Sequence, residues 1–239
     1  MFKEETILFD LDGTLLPIDM DYFLKLYFKT LTDEFSDLEE PDRFIDVLMK
    51  STQHMIENDG ERTNEEVFKD SFFSMLKVDD IDQTMERFDK FYEEKYPQIK
   101  NMLDLKTRSP ELIKLLLDKD YQLVIATNPL FPYKAIEERI KWAGLDPEDF
   151  AYITCYEEMH YSKPSIGFYK EILDRLNLNP AECAMVGNDV QEDMIAGELG
   201  LSTYLIEDYK IDRNKGDFKI DWKGSMEQLI SQCKKRVSI

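Results

Sequence analysis

The sequence predicts an α/β protein, a doubly wound parallel sheet interrupted after its first strand by an inserted α-helical domain. Three observations predict it. The short apolar run Thr6-Ile7-Leu8-Phe9-Asp10 ends in carboxylates and a glycine, the way a buried parallel strand meets its loop. From Pro17 to about Lys106, apolar residues recur at three- and four-residue spacing, which is the helical period. Beyond Lys106, strand-like and helix-like stretches alternate, the pattern of a parallel sheet covered on both faces.

The elements follow in order. Residues 6–10 form the first strand. Four helices are expected near 21–35, 41–57, 64–77 and 80–95, separated by the turn signals Ser36-Asp37, Asn58-Asp59-Gly60 and Val78-Asp79-Asp80. Helix 109–119 opens with Ser109-Pro110-Glu111, where serine can cap and proline suits the first helical position. Strand 121–127 and helix 133–143 come next, the helix stopped by Gly144. A strand near 151–155, helix 165–176, strand 183–187, helix 190–199 ending at Gly200, and strand 203–206 continue the alternation. Residues 208–223 are polar and ambiguous, and a last helix is expected over 225–236. The expected division is a Rossmann-like core of residues 1–16 and 106–239 with a helical cap of residues 17–105. A parallel crossover needs only about a dozen residues, so an insertion of this length is read as a small domain of its own.

Composition narrows the function classes. A chain of 239 residues with 43% hydrophobic and 33% charged residues is long enough and apolar enough to fold around a sizeable core. No apolar run approaches the ~20 residues of a membrane span, and Met1-Phe2-Lys3-Glu4-Glu5 lacks the features of a secretory leader. Cys155, Cys183 and Cys233 show no metal-ligand spacing and read as reduced thiols, so the expected location is cytoplasmic. The net charge of −20 argues against nucleic acid or an anionic membrane as partner. An anionic substrate must therefore be held by local cations, backbone N–H groups or a bound metal.

Ligands of an open parallel sheet bind outside the carboxyl ends of its strands. Four polar groups fall at that edge: Asp10/Asp12, Thr127-Asn128, Ser162-Lys163-Pro164, and Gly187-Asn188-Asp189 with Asp193. Asp10 and Asp12, two apart, can face one pocket while Gly13 lets the chain turn away. Carboxylates gathered in one place repel unless a hard cation sits among them, and a site of oxygen ligands suits Mg²⁺. One carboxylate can attack phosphorus and form an acyl phosphate; a second can protonate the leaving oxygen and then activate water. Lys163 and the Thr127 hydroxyl can hold phosphoryl oxygens.

The motifs Asp10-x-Asp12-Gly13-Thr14-Leu15, Ile125-Ala126-Thr127-Asn128, Lys163-Pro164 and Val186-Gly187-Asn188-Asp189-x-x-x-Asp193 resemble, in order, the four motifs of the haloacid dehalogenase superfamily. The insertion resembles that family's type-1 helical cap. The resemblance implies Asp10 as nucleophile, Asp12 as acid/base, Thr127 and Asn128 as phosphate-binding residues and Lys163 as the group that steadies both nucleophile and phosphoryl. It implies Mg²⁺ held by the Asp10 carboxylate, the Asp12 backbone carbonyl and an acidic residue of the fourth motif. Where many members have an aspartate directly after the glycine, this chain has Asn188 and then Asp189; Asp189 is taken as the ligand, with Asn188 or Asp193 joining directly or through water.

Each residue also has a plainer reading. An isolated Asp-x-Asp pair is more often a loop or capping pair, and only its company makes it a site. His54 reads as a cap packing or surface residue, and His160 lies close enough in sequence to Lys163 to touch a ligand. The cap aromatics read first as bundle core and second as a substrate pocket. Lys25, Arg43, Lys50 and Arg62 are candidates for binding a second anionic group and otherwise ordinary surface charges. The leading expectation is a Mg²⁺-dependent phosphatase of a small phosphorylated metabolite, monomeric or weakly dimeric. The competing readings are a phosphomutase and a catalytically silent binding or regulatory protein. Carbon–halogen hydrolysis is disfavoured because it gives Asp12 no leaving oxygen to protonate.

Overall fold

The computed structural model describes residues 2–235. At its centre is Thr6–Phe9 (β1), buried along its whole length. Gln122–Ile125 (β2) and Tyr152–Ile153 (β3) extend the sheet on one side of β1. Cys183–Gly187 (β4), Ser202–Ile206 (β5) and Trp222–Gly224 (β6) extend it on the other. All five pairings are parallel, in the order β3-β2-β1-β4-β5-β6. The direction in which strands are added reverses between β1 and β4, which is where an open α/β sheet leaves a crevice at its carboxyl edge.

Strand side chains alternate between the two faces, as the pleat requires. Ile7 and Phe9 join the apolar cluster containing Leu112 and Leu116 of Ser109–Leu117 (α5), Ile136 and Ile140 of Tyr133–Trp142 (α6), and Leu229 and Ile230 of Met226–Lys235 (α8). Leu8 joins the opposite cluster, with Phe168 and Ile172 of Ile166–Leu176 (α7). The sheet is thus covered on both faces, as expected. The α8 boundary agrees with the expected helix as far as residue 235; residue 236 lies outside the described residues.

Between β1 and α5 the chain makes four helices, Met20–Glu34 (α1), Pro41–Ile56 (α2), Asn64–Met75 (α3) and Ile81–Glu94 (α4), followed by a 3₁₀ segment at Tyr96–Met102. Their starts are written locally. The Asp19 and Asp80 side chains accept the Tyr22 and Gln83 N–H groups, Thr63 and Glu66 form a capping box, and Pro41 occupies the first turn of α2. Phe35, Phe44, Phe72 and Phe88 pack together with ring centroids 4.3–6.4 Å apart, so these cap aromatics form bundle core.

One expectation is corrected, and one open stretch is resolved. Residues 190–199 are not an α-helix; turns lead into a 3₁₀ segment at Met194–Leu199. The Asp189 carboxylate accepts the N–H groups of Gln191 and Glu192, and the Asp193 carboxylate accepts that of Asp189, so side chains hold this backbone in turns. Strand β6 begins inside the stretch 208–223 read as ambiguous and ends one residue past it; it is an edge strand of three residues in which only Gly224 is buried, so it carries no apolar signature. Among the described residues no helix is long and apolar enough to cross a membrane.

Candidate active site

Asp10 leaves β1 with its N–H bonded to the Val186 carbonyl of β4 (2.9 Å), which places it at the crevice. The following turn is closed by Leu16 N–H to Leu11 O (2.8 Å) and Gly13 N–H to Leu16 O (2.8 Å). Gly13 has φ +85°, and a Cβ there would stand 2.4 Å from Asn188 Nδ2, so a side chain is excluded by conformation and by space. The Thr14 hydroxyl sits 3.2 Å from both Asp10 Oδ2 and Asn188 Oδ1, tying the first and last motifs together.

Lys163 is 1% exposed, and its Nζ donates to Asp10 Oδ1 (3.0 Å) and Asp193 Oδ1 (2.6 Å). Asn128 holds the lysine's backbone, its Oδ1 accepting the Lys163 N–H (3.2 Å) while its Nδ2 donates to Glu192 Oε2 (3.2 Å). Thr127 is buried in the loop two residues beyond β2, its carbonyl accepting the Thr154 hydroxyl (2.7 Å).

Asp12 faces Arg139 of α6, with Nε 3.2 Å from Oδ1. The approach is too bent for a hydrogen bond, so both atoms are buried with no hydrogen-bond partner among the described residues. Arg139 is anchored elsewhere: Nη1 donates to the Tyr96 hydroxyl (2.7 Å), and the guanidinium lies over the Phe131 ring, 4.4 Å from its centroid. Asp189 carries its own guanidinium, Arg213 Nη1 meeting its two oxygens at 2.8 and 2.6 Å while Arg213 Nη2 reaches Glu192 Oε1 at 3.1 Å.

Asp10, Asp12, Thr127, Asn128, Asp189 and Asp193 line one cavity of about 240 Å³, with Arg139, Arg213, Glu192 and Asn188 completing its polar wall. Lys163 stands behind Asp10 and Asp193. Met20, Leu130 and Phe131 form the apolar side. The two histidines are elsewhere: His54 pairs with Ser71 (2.7 Å) and His160 with Glu171 (2.8 Å). Arg43 and Lys50 share Asp46, Arg62 pairs with Asp70, and Lys25 is exposed.

Electrostatics follow from burial. Burial pushes the carboxyls of Asp10 and Asp12 above their ordinary range, although Lys163 pulls Asp10 down and Arg139 pulls Asp12 down. Glu192 is raised to about 6 by burial and by the Asp189 charge. Burial disfavours the Lys163 ammonium, but the Asp10 and Asp193 carboxylates outweigh it and hold its pKa well above normal. Five carboxylates (Asp10, Asp12, Asp189, Glu192, Asp193) thus face three cations (Lys163, Arg139, Arg213). Among the described residues no three His, Cys, Asp or Glu side chains form a ready-made metal cluster. The gathered carboxylates and the all-oxygen donor set nonetheless suit a hard divalent cation that keeps several waters. Such an ion would relieve the mutual repulsion that adds to burial in raising the pKa of Asp10, of Glu192 and of Asp193, the last to about 7.

Arg139 and Arg213 were not singled out by sequence reasoning. Arg139 had a signal, since it falls on the buried stripe of α6 with Ala135, Ile136 and Ile140. Arg213 had none, lying in an irregular polar stretch.

A parallel sheet with paired carboxylates after its first strand, a buried lysine beside them and a helical insertion overhead defines a class of α/β hydrolases. The chain belongs to the haloacid dehalogenase-like hydrolases, whose family model matches residues 7–204. No curated protein matches it in sequence. Among solved structures it is similar to a 2-haloacid dehalogenase from Pseudomonas syringae pv. Tomato DC3000 (18% identity, 98% of this chain and 100% of that one, TM-score 0.65). It is also similar to the putative HAD-hydrolase YfnB from Bacillus subtilis bound to magnesium (20%, 98% and 100%, TM-score 0.59). A third is a HAD phosphatase from Thermococcus onnurineus (19%, 98% of each chain, TM-score 0.54).

Proposed function

We propose that the protein is a Mg²⁺-dependent phosphohydrolase that acts on a small phosphorylated metabolite through an aspartyl-phosphate at Asp10. The observation that carries this reading is the pairing of two differently equipped carboxylates on one cavity. Asp10 is oriented by Lys163 and Thr14, whereas Asp12 has a buried oxygen with no hydrogen-bond partner, 3.2 Å from Arg139 Nε, and a carboxyl that burial raises and Arg139 partly pulls back down. A nucleophile must be ionised and aimed; a general acid must hold a proton and keep a free oxygen for the leaving group.

An Asp10 oxygen attacks phosphorus as the ester P–O bond breaks, and Asp12 gives its proton to the departing oxygen, releasing an alcohol. Asp12 then takes a proton from the water that attacks phosphorus, freeing phosphate and restoring Asp10. Thr127, Asn128 and Lys163 stabilise the phosphoryl oxygens. The Asp10 carboxylate, the Asp12 carbonyl and Asp189 would hold Mg²⁺, which when bound would supply positive charge to offset the phosphoryl group. Arg213 would have to release Asp189 for that residue to ligate, while Asn188 Oδ1, which accepts the Thr14 hydroxyl, is the motif's other candidate oxygen. Dehalogenases are among the structural relatives, but a departing halide takes no proton and would leave Asp12 without a task.

With Mg²⁺ and a phosphomonoester panel, the protein is expected to release phosphate and, after acid quench, to carry a hydroxylamine-labile phosphate. Asp10→Asn should lower turnover by at least about a thousandfold and abolish the label; a fully active variant would sink the reading.

A further inference from the structure

A second cavity lies beside the catalytic one, and nothing in the proposed chemistry uses it. Its volume is about 250 Å³, and it is lined by α1, α2, α3, α4, the loop after β2 and Tyr156. Met20, Leu130 and Phe131 line both cavities, so the two meet at a shared apolar wall. Its sixteen lining residues include no charged side chain. Apart from Thr52, polarity is confined to tyrosine hydroxyls, and those of Tyr27 and Tyr92 already bond each other at 2.8 Å.

From this we infer that the alcohol half of the substrate is apolar, an alkyl or arylalkyl group seated between the inserted helices with its phosphate against Asp10. The inference rests on the phosphohydrolase reading. Three observations support it. The cleft opens partly to solvent yet is lined almost wholly by apolar side chains, the character of a ligand pocket, and its volume exceeds the roughly 150 Å³ that accepts benzene in an engineered protein core. The bundle's aromatic core is also filled independently, by Phe35 and Phe44 stacked beside the cavity-lining Phe88 and by Phe72 edge-on to Phe44 and Phe88, so the space is not simply a missing core. Finally, Arg43, Lys50 and Arg62 are paired on the surface, and neither they nor the exposed Lys25 lines the cavity, so a second anionic group there meets no counter-charge. The hydroxyls of a sugar phosphate would be stranded, each weakening binding by roughly tenfold.

The test is a chain-length series on the full-length protein with Mg²⁺. From ethyl to n-hexyl phosphate, kcat/KM is expected to rise about fourfold per methylene, with 2-phenylethyl phosphate comparably good. Glucose 6-phosphate and phosphoglycolate should fall at or below ethyl phosphate. A flat series, or a preference for the sugar phosphate while phosphate is still released, would overturn the apolar subsite and leave the hydrolase standing. Thr52→Trp, filling the cavity, should pull the hexyl-to-ethyl ratio toward one; an unchanged ratio in a variant with wild-type circular dichroism and melting also overturns it. If no ester is hydrolysed, calorimetry with ethyl- and n-hexylphosphonate separates the claims. Tighter hexyl binding then supports the subsite and removes the hydrolase, and equal affinities remove the subsite.

Discussion

Arg139 keeps its charge with 1% of its side chain exposed, between Asp12, the Tyr96 hydroxyl and the Phe131 ring face. Removing one member of such a pair leaves the other charge buried without compensation. Arg139→Leu is therefore expected to destabilise the fold by about 3 kcal/mol, and adding Asp12→Asn should recover much of the loss; urea unfolding of both variants measures it. The sequence made Asp10, Asp12, Thr127, Asn128 and Lys163 legible because each ends or follows an apolar strand. It left Arg139 looking like an ordinary helical arginine, since its partner is distant in the chain. Asp189 was legible as an edge carboxylate, but the guanidinium on it was not, because Arg213 arrives from a segment with no periodicity.

At the scale of elements, the strands that could be read are those with continuous apolar burial, β1 and β4 among them. Those that could not, such as β6, gain their conformation from a neighbour's edge rather than from their own side chains. The stretch after β4 shows the same limit, because carboxylates that look like helix-start residues turn back onto the backbone instead. Gly187 makes this arrangement possible: a Cβ there would fall 2.1 Å from Asp193 Oδ2. Gly187→Ala should therefore displace Asp193 from Lys163. Misplacement of about an ångström can cost roughly a hundredfold in rate, so steady-state kinetics should show a loss of that order while far-UV circular dichroism stays near that of the wild type.

Over the whole molecule, the net charge of −20 opposes any anionic ligand until it reaches the local cations of the cavity. Raising salt from about 10 to 150 mM shortens the screening length to roughly 8 Å. At constant free Mg²⁺, kcat/KM for a phosphomonoester should therefore rise with added salt; a steep fall would show that attraction dominates instead. The division into sheet and helical insertion was readable because the two have different hydrophobic periods; how they meet was not, since the shared wall of Met20, Leu130 and Phe131 draws on distant segments. The turn after Asp10 lies between them. It closes on itself through Leu11, Gly13 and Leu16, and the Ser109 hydroxyl of α5 grips the Leu15 carbonyl. A pull on the helices through residue 17 therefore meets a clamped knot before it reaches Asp10. Hydrogen bonds within the turn and from α5 stand between the overlying helices and Asp10, and a displacement of those helices has to break them before it moves the carboxylate.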